Sequence, residues 1–250
     1  MRRMNLRFWI FVMAPALAAA WALSAHATTA SLQSLPPIVT PGEASAPPSD
    51  AIVLFGGSSL DEFRSGGGPA NWPVVDGVLT VGKGDLTTKR EFGDIQLHLE
   101  WRVPSGSTAA EGSQDRGNSG IKLHEAYEIQ ILDSYRATSG SAKGQAGSVY
   151  AQTPPLVNAC RPPGEWQTYD IVFRAPYFDD SGELVAHGRV TVIHNGVLVQ
   201  DHTKILGRTN SRVPARTPYR QPFFLQEHGS KVQYRSIWVR ELERRELGEE

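Results

Sequence analysis

The stretch AYEIQILDSY, residues 126–135, sets two carboxylates and an amide into an otherwise apolar run. Ile129 and Ile131 alternate with Glu128 and Gln130, and strict alternation over this length is typical of a half-buried β-strand. The isoleucines are expected to face a core, which directs Glu128 and Gln130 to the opposite face. A carboxylate and an amide there could line a groove, so this face is a candidate functional site.

Side chains of the same kinds recur at outward positions of the other predicted strands. They include carboxylates, imidazoles, amides and an indole. This mixture suits a carbohydrate site, because polar groups bind hydroxyls and an indole stacks on the apolar face of a sugar ring. We expect one groove on the concave face of a curved sheet, with candidate catalytic residues Glu128, His124 and His228. The candidate substrate-binding residues are Gln130, Gln226, Trp166, Glu100, Lys122 and Asn118.

A base that removes a proton from a substrate works together with an electrophile that stabilises the negative charge left behind. A divalent metal ion could provide that electrophile as a Lewis acid. The sequence holds no short metal-binding motif, but four of the candidate residues are suitable ligand types, namely Glu128, His228, His124 and Glu100. The expectation is therefore a divalent metal ion or no cofactor.

Each of these assignments has a structural alternative. Glu128 and Gln130 could form a solvated sheet face with a basic cross-strand partner. Asp133, which closes the apolar run, could cap a turn, and the glycines of GNSG could serve a turn instead of a site. Trp166 could be a core anchor, and His228 could cap the last hairpin.

Strand signals at short spacing place these residues on an all-β framework. Asp76-Gly77 and Asn195-Gly196 each lie between two apolar runs, and both dipeptides favour the tight turn of a β-hairpin. Many short strands with no helix between them predict an antiparallel two-sheet sandwich of the concanavalin or lectin-like jelly-roll type. The stretch 136–166 is long and rich in Gly, Ser and Pro, so it is expected to line one end of the groove or to pack as a surface loop.

The N-terminus has the pattern of a secretory signal peptide. Arginines precede an apolar stretch, and the residues 25–27 form a small-x-small cleavage site, so residues 1–27 are expected to be removed. A retained membrane anchor is the alternative. Residues 28–49 read as a linker rich in Pro, Ser and Ala, and residues 50–245 as the folded domain. The protein is then expected to be exported, and to be periplasmic or secreted.

Composition and charge exclude several kinds of partner. The formal net charge is −1 and the basic residues form no cluster, so nucleic-acid binding has no electrostatic support. Cys160 is the 1 cysteine of the chain, which excludes an intramolecular disulfide, and its thiol is expected to be a buried apolar group. The expected partner is a small sugar substrate, without stable membrane insertion after signal cleavage.

Several segments, taken together and in order, resemble a known family. They are GDLTTKREFGDIQLHLEWRVP, GNSGIKLHEAYEIQILDSY, GSVYAQTPPLVNACRPPGEWQTYDIVFRAP, VIHNGVLVQDH and FLQEHGSKVQYRSIWVREL. Residues 51–242 resemble the 3-keto-disaccharide hydrolase family, which has a concanavalin-like jelly-roll fold. The chain departs from the family pattern at Lys122 and His124, which follow NSGI, and at Glu227, where the family usually has LQDHG.

The resemblance implies an unusual sugar substrate, a glycoside already oxidised to a ketone at C3. The ketone acidifies the hydrogen on C2, a base removes that proton, and the aglycone leaves from C1 by elimination. Water can then add back, which gives net hydrolysis. Ordinary glycosidases instead use a pair of carboxylates that flank the scissile bond.

Two other functions remain open from the sequence. A non-catalytic carbohydrate-binding module could use exposed aromatic side chains on the same fold, because a fold alone does not determine function. A conventional laminarinase-type glycosidase would need a second carboxylate across the groove, and Gln130 occupies the position in EIQIL where that carboxylate would be expected.

Overall fold

The computed structural model describes residues 35–43, 46–211 and 216–244. The chain divides into two compact units, Met1–Ile38 and Val39–Glu250. The predicted signal peptide and part of the predicted linker lie outside the described residues, so both assignments stay predictions. All strands of the described residues belong to the second unit.

The larger sheet contains 8 strands that pair in antiparallel fashion. They are β1 (Ile52–Phe55), β4 (Val74–Val75), β5 (Val78–Thr80), β7 (Ile95–Arg102), β10 (Gln167–Arg174), β13 (Arg189–His194), β14 (Val197–Lys204) and β16 (Gln233–Glu241). The order across the sheet is β14-β13-β10-β7-β16-β5-β4, and β1 pairs with β16 outside this path.

The smaller sheet contains 6 strands, again antiparallel. They are β2 (Phe63–Ser65), β3 (Gly68–Pro69), β6 (Leu86–Thr88), β8 (Ser119–Leu123), β9 (Tyr127–Ile131) and β15 (Phe224–Leu225). Their order is β3-β2-β6-β15-β8-β9, which brings distant parts of the sequence beside β8. A separate ribbon pairs β11 (Tyr177–Phe178) with β12 (Leu184–Ala186), and a 3₁₀ helix spans Ala142–Gly144.

One apolar core joins the two sheets. The alternate residues Ile95, Leu97, Leu99 and Trp101 of β7 are buried in the same cluster as Ile121 and Ile129 of the smaller sheet, as are their counterparts along β10. Burying one face of each sheet against the other removes apolar surface from water, which is the main force that favours this fold. The all-β antiparallel jelly-roll sandwich predicted from the sequence is confirmed.

Two of the predicted hairpin turns are also confirmed. Asp76 and Gly77, which connect β4 to β5, have φ values of 50° and 76°. Asn195 and Gly196, which connect β13 to β14, have φ values of 53° and 80°. Two successive positive φ angles are the requirement of the type I′ turn, and Asn-Gly and Asp-Gly meet it with little strain.

Among the described residues, none lies in a helix with the length and the apolar character needed to cross a bilayer.

Two histidines are buried in the core, where desolvation disfavours their charged forms. The ring of His124 packs edge-on against Phe173 at a centroid distance of 4.9 Å, and burial lowers its pKa to about 4. His194 stacks on Trp101 at 5.6 Å, and burial, followed by the nearby charge of Arg161, lowers its pKa to about 3. Both imidazoles are therefore neutral in the folded protein near neutral pH.

These histidines predict a loss of stability in mild acid. Below the ordinary histidine pKa of 6.5, these two histidines bind protons in the unfolded chain but not in the folded core. The free energy of unfolding therefore falls as pH decreases from 6.5 toward 4. The contribution of each histidine is about 2 kcal/mol between pH 6.5 and pH 5. Urea unfolding at several pH values should show a weaker dependence in the double variant His124→Gln/His194→Gln than in the parent protein.

The matched control is His228→Gln, because His228 is an exposed histidine. This variant should keep the pH dependence of the parent protein. An equal pH dependence in the parent and in the double core variant would contradict the assignment.

Candidate active site

A small polar pocket lies beside β8 and β9, on the face of the smaller sheet that points away from the core. Its volume is about 130 Å³. Every side chain that lines it carries a polar group, which distinguishes it from the mostly apolar pockets that bind drug-like molecules. The lining residues are Asn118, Lys122, Glu128, Gln130, Tyr150, Asn210, Gln226 and His228.

A buried ion pair lies in this pocket. Lys122 of β8 is directly opposite Glu128 of β9, and the distance from Lys122 Nζ to Glu128 Oε2 is 2.8 Å. The side chains are 16% and 5% exposed, so both charges are largely removed from water. A buried charge without a partner is strongly destabilising, and each of these side chains therefore depends on the other.

Two loops hold the backbone of Glu128 in place. The Glu128 amide donates a hydrogen bond to Thr209 Oγ1 at 3.0 Å, and the Glu128 carbonyl accepts one from the amide of Tyr150 at 3.0 Å. Tyr150 and Asn210, the neighbour of Thr209, also line the pocket. The contacts that fix the Glu128 main chain thus also bring loop side chains to its carboxylate.

A glycine lies directly beneath the carboxylate of Glu128. Gly120 of β8 is paired with Gln130, and a Cβ atom at position 120 would lie 2.6 Å from Glu128 Oε1. Real Cβ atoms do not approach another atom this closely, so the side chain of Glu128 would have to move. The missing side chain at Gly120 is what allows the carboxylate to lie against the sheet.

Among the described residues, no hydrogen-bond donor reaches two amide oxygens of the pocket. Gln130 Nε2 donates to Asn118 Oδ1 at 3.2 Å, whereas Gln130 Oε1 is buried without a partner. Gln226 Oε1 is also buried without a partner. Unpaired buried acceptors are rare in folded proteins because they lose their hydrogen bonds to water, and at a binding site they mark where a donor from a ligand belongs.

The segment that follows β15 also contributes side chains to the pocket lining. The amide of Gln226 donates to the carbonyl of Gly120 at 2.9 Å, and Ser119 Oγ donates to the carbonyl of Gln226 at 2.6 Å. These contacts continue the β8–β15 pairing past the end of the strand. His228 follows at the exposed rim of the pocket.

Six of the predicted site residues therefore come together in the structure. They are Asn118, Lys122, Glu128, Gln130, Gln226 and His228. Strand alternation and the pairing of β8 with β9 explain why Lys122, Glu128 and Gln130 share a face.

His124 lies in the core instead of the groove, which corrects its predicted position. Its Nε2 atom is 2.8 Å from the carbonyl oxygen of Phe92. The prediction continued the alternation of β8 through residue 124, but β8 ends at Leu123, and His124 and Glu125 have φ values of 51° and 53°. The positive φ angles reverse the chain and turn the imidazole away from the pocket.

Glu100 and Trp166 also lie away from the pocket, which corrects their expected positions for a different reason. Glu100 belongs to β7 of the larger sheet and accepts a hydrogen bond from Arg235 Nε at 2.6 Å. The Cζ atoms of Arg102 and Arg235 lie 4.6 and 4.2 Å from the centre of the Trp166 ring. Both residues do point away from the core, but a sandwich has two outward faces, and theirs belongs to the other sheet.

The four candidate metal ligands do not form a metal site. Glu100 and His124 lie away from the pocket, and Lys122 occupies one oxygen of Glu128. In the part of the chain that the structure describes, no three His, Cys, Asp or Glu side chains are grouped so as to hold a metal ion. The donor set thus does not fit the expected divalent ion.

Asp133 caps a turn, as the structural alternative predicted. Its Oδ1 atom accepts a hydrogen bond from the amide of Tyr135 at 3.2 Å, and its Oδ2 atom lies 2.6 Å from Arg116 Nη2. The carboxylate is therefore satisfied by the turn and by an arginine, and it does not line the pocket.

Tyr150 and Asn210 line the pocket but were not identified from the sequence. Both lie in loops, where strand alternation carries no information. Tyr150 belongs to the long stretch 136–166, for which a role at the groove was predicted. Asn210 has a φ of 65°, a conformation that asparagine adopts more readily than most residues, but its place beside β9 depends on contacts made by Thr209.

Comparison with known proteins gives relatives of similar fold. The chain is 25% identical over 149 residues to a 3-keto-disaccharide hydrolase of Bacteroides thetaiotaomicron, a match that covers 48% of this chain and 51% of the relative. The chain thus spans about half the length of that relative. A crystal structure of a candidate glycosyl hydrolase from Parabacteroides distasonis is 44% identical, with a TM-score of 0.78, and the match covers 90% of this chain and 100% of that one.

A second Parabacteroides distasonis structure, also of a candidate glycosyl hydrolase, is 24% identical with a TM-score of 0.55, over 77% of this chain and 99% of that one. At this identity the likeness shows the fold alone. Residues 50–240 match the model of the 3-keto-alpha-glucoside-1,2-lyase-like domain, which includes nearly all of the described sandwich and the pocket. The chain therefore belongs to the family of 3-keto-alpha-glucoside-1,2-lyase-like domains.

Proposed function

We propose that this chain is an exported enzyme that cleaves 3-keto-disaccharides by removing the proton on C2 of the oxidised sugar. The observation that carries the proposal is the Lys122–Glu128 pair, a buried carboxylate and ammonium in contact within a small polar pocket. Membership of the family and the name of the Bacteroides relative support this substrate class. Export rests on the signal-peptide pattern of residues 1–27.

Glu128 is the base of this mechanism. A ketone at C3 makes the C2 hydrogen acidic, and the carboxylate takes that proton while the electron pair of the C–H bond moves toward the ketone oxygen. Lys122 stabilises the enediolate, because its ammonium group brings positive charge and hydrogen-bond donors to the oxygen on which negative charge develops. As the proton leaves the substrate, the charge that balances Lys122 passes from Glu128 to that oxygen.

The bond to the leaving group breaks in the next step. The electron pair of the enediolate returns to form a C1–C2 double bond, the bond from C1 to the glycosidic oxygen breaks, and that oxygen takes up a proton. His228 at the exposed rim is the proposed donor of this proton, since the leaving sugar must point out of a small pocket toward solvent. Addition of water across the double bond then completes a net hydrolysis.

The size and lining of the pocket favour one oxidised ring as the bound unit. A volume of about 130 Å³ is small beside the 300–1,000 Å³ of typical ligand pockets, which favours a single sugar ring over several inside the pocket. The free oxygens of Gln130 and Gln226 accept hydrogen bonds from ring hydroxyls. Because Glu128 carries the one carboxylate among the described lining residues, the pocket does not provide the carboxylate pair of a conventional glycosidase.

Replacement of Glu128 by Gln tests the base directly. The amide keeps the shape of the side chain but cannot accept the C2 proton, so kcat on a 3-keto-disaccharide should fall by about 10²- to 10⁴-fold. The matched control is Glu125→Gln, which changes a carboxylate of the same hairpin that pairs with Arg64 outside the pocket. The control should keep kcat within about twofold, whereas full turnover by a folded Glu128→Gln protein would rule out the proposed role.

Gly120→Ala tests whether the position of the carboxylate matters. The added methyl group would displace Glu128 Oε1, and a misplacement of the order of 1 Å can reduce kcat by up to about 10²-fold. In a Glu128→Asp background, Gly120→Ala should reduce kcat by a smaller factor than in the parent protein, because the shorter acid is not displaced by the added methyl group.

Gly68→Ala is the matched control for this change. Gly68 lies in a strand of the same sheet, and a Cβ there would be 3.9 Å from the nearest atom, an ordinary contact. Steady-state kinetics and thermal melting should show an unchanged Gly68→Ala protein. A Gly120→Ala protein with normal kcat would show that the close contact does not determine the position of the base.

A further inference from the structure

We propose that Gln114, which lies outside the pocket lining, fixes Gln130 as a hydrogen-bond acceptor and thereby makes the pocket select a substrate hydroxyl at that position. The inference rests on the proposed function for the identity of the sugar. It adds a positioning residue and states which group of the substrate Gln130 can bind. The supporting contacts form a chain of amides that runs from a backbone carbonyl to the pocket.

The orientation of Gln114 is determined by the carbonyl of Gly144. A backbone carbonyl can only accept a hydrogen bond, so the group of Gln114 that lies 3.2 Å from it must be the amide nitrogen. The oxygen of Gln114 then points the other way, where it accepts a hydrogen bond from Gln130 Nε2 at 3.0 Å. The two ends of the Gln114 amide are thus distinguished by chemistry as well as by geometry.

The hydrogen bond to Gln114 fixes the orientation of the Gln130 side-chain amide. Its nitrogen donates one hydrogen to Gln114 Oε1 and the other to Asn118 Oδ1, which uses both donors of the amide. The remaining atom, Gln130 Oε1, is buried with no partner in the part of the chain that the structure describes, and the residue is 0% exposed. A buried acceptor at the wall of a binding pocket is satisfied by a ligand that brings a donor.

This arrangement distinguishes the two oxygen-containing groups of an oxidised sugar. A hydroxyl carries a hydrogen that it can donate to Gln130 Oε1, whereas a ketone can only accept and would face another acceptor. Gln130 therefore binds a hydroxyl of the ring, and the ketone is directed toward the donors of Lys122. Gln114 contributes to this choice without touching the substrate, through a contact between the β7–β8 loop and the 3₁₀ helix Ala142–Gly144.

The test is a comparison of binding constants for sugars that differ by one hydroxyl. A disaccharide of 3-keto-glucose and its 2-deoxy, 4-deoxy and 6-deoxy analogues on the oxidised ring are titrated by calorimetry into Glu128→Gln protein, which prevents turnover. One analogue should bind about tenfold more weakly than the parent sugar, because it leaves the acceptor unpaired. Adding Gln114→Ala should remove most of that preference.

A double-mutant cycle separates this role from a general effect on the loop. In a Gln130→Ala background the preference is already lost, so adding Gln114→Ala should change it no further. The matched control is Gln145→Ala, which removes an amide that donates to the Ser141 carbonyl beside the same 3₁₀ helix, whereas the side-chain amide of Gln130 donates to Gln114 and Asn118.

The outcomes distinguish this inference from the proposed function. A preference that survives Gln114→Ala, or an equal effect of Gln114→Ala with and without Gln130, would overturn the inference even if the wild-type enzyme cleaves the parent sugar. Selective binding that depends on Gln114, without turnover by the wild-type protein, would support the inference and overturn the proposed function. Absence of binding to all of these sugars would overturn the inference, and it would also overturn the proposed function if the wild-type protein shows no turnover.

Discussion

The pocket depends on one constraint, the burial of the Glu128 carboxylate on the outer face of a β-sheet. Removing a carboxylate from water is costly unless a positive charge and a suitable space are provided. Lys122 supplies the charge across the β8–β9 pair, and Gly120 leaves the space beneath the carboxylate. The same arrangement suits the proposed reaction. When Glu128 takes up the proton, the negative charge moves from its carboxylate to the substrate oxygen, and Lys122 is already placed to stabilise the charge there.

The surrounding loops complete the pocket by satisfying backbone groups of β9. Thr209 and Tyr150 bond to the amide and carbonyl of Glu128, and the stretch that contains Tyr150 continues along the free edge of β9 with a hydrogen bond between Gln130 and Ser148. These contacts cover a strand edge that would otherwise be open to association with another chain. The same contacts bring Tyr150 and Asn210 to the pocket. The loops that cover the edge of β9 therefore also complete the site.

Much of the fold could be predicted because its signals are local. Alternation in IQLHLEW identified the core face of β7. Asn195-Gly196 identified the β13–β14 hairpin, because the geometry of the tight turn favours those two residues. Lys122, Glu128 and Gln130 were predicted to share a face for the same reason. The assignments that needed correction depended on longer-range facts. Local alternation does not show which sheet Glu100 and Trp166 belong to, and it could not reveal that positive φ angles turn His124 into the core.

The central claim is that the enzyme breaks the C2–H bond of a 3-keto sugar with Glu128. The most direct measurement is turnover of a 3-keto-disaccharide in D₂O, followed by NMR of the released 3-keto sugar. The account predicts deuterium at C2, well above any exchange at C4, with wild-type protein and not with Glu128→Gln. Cleavage by the wild-type enzyme that leaves the original hydrogen at C2 would contradict it.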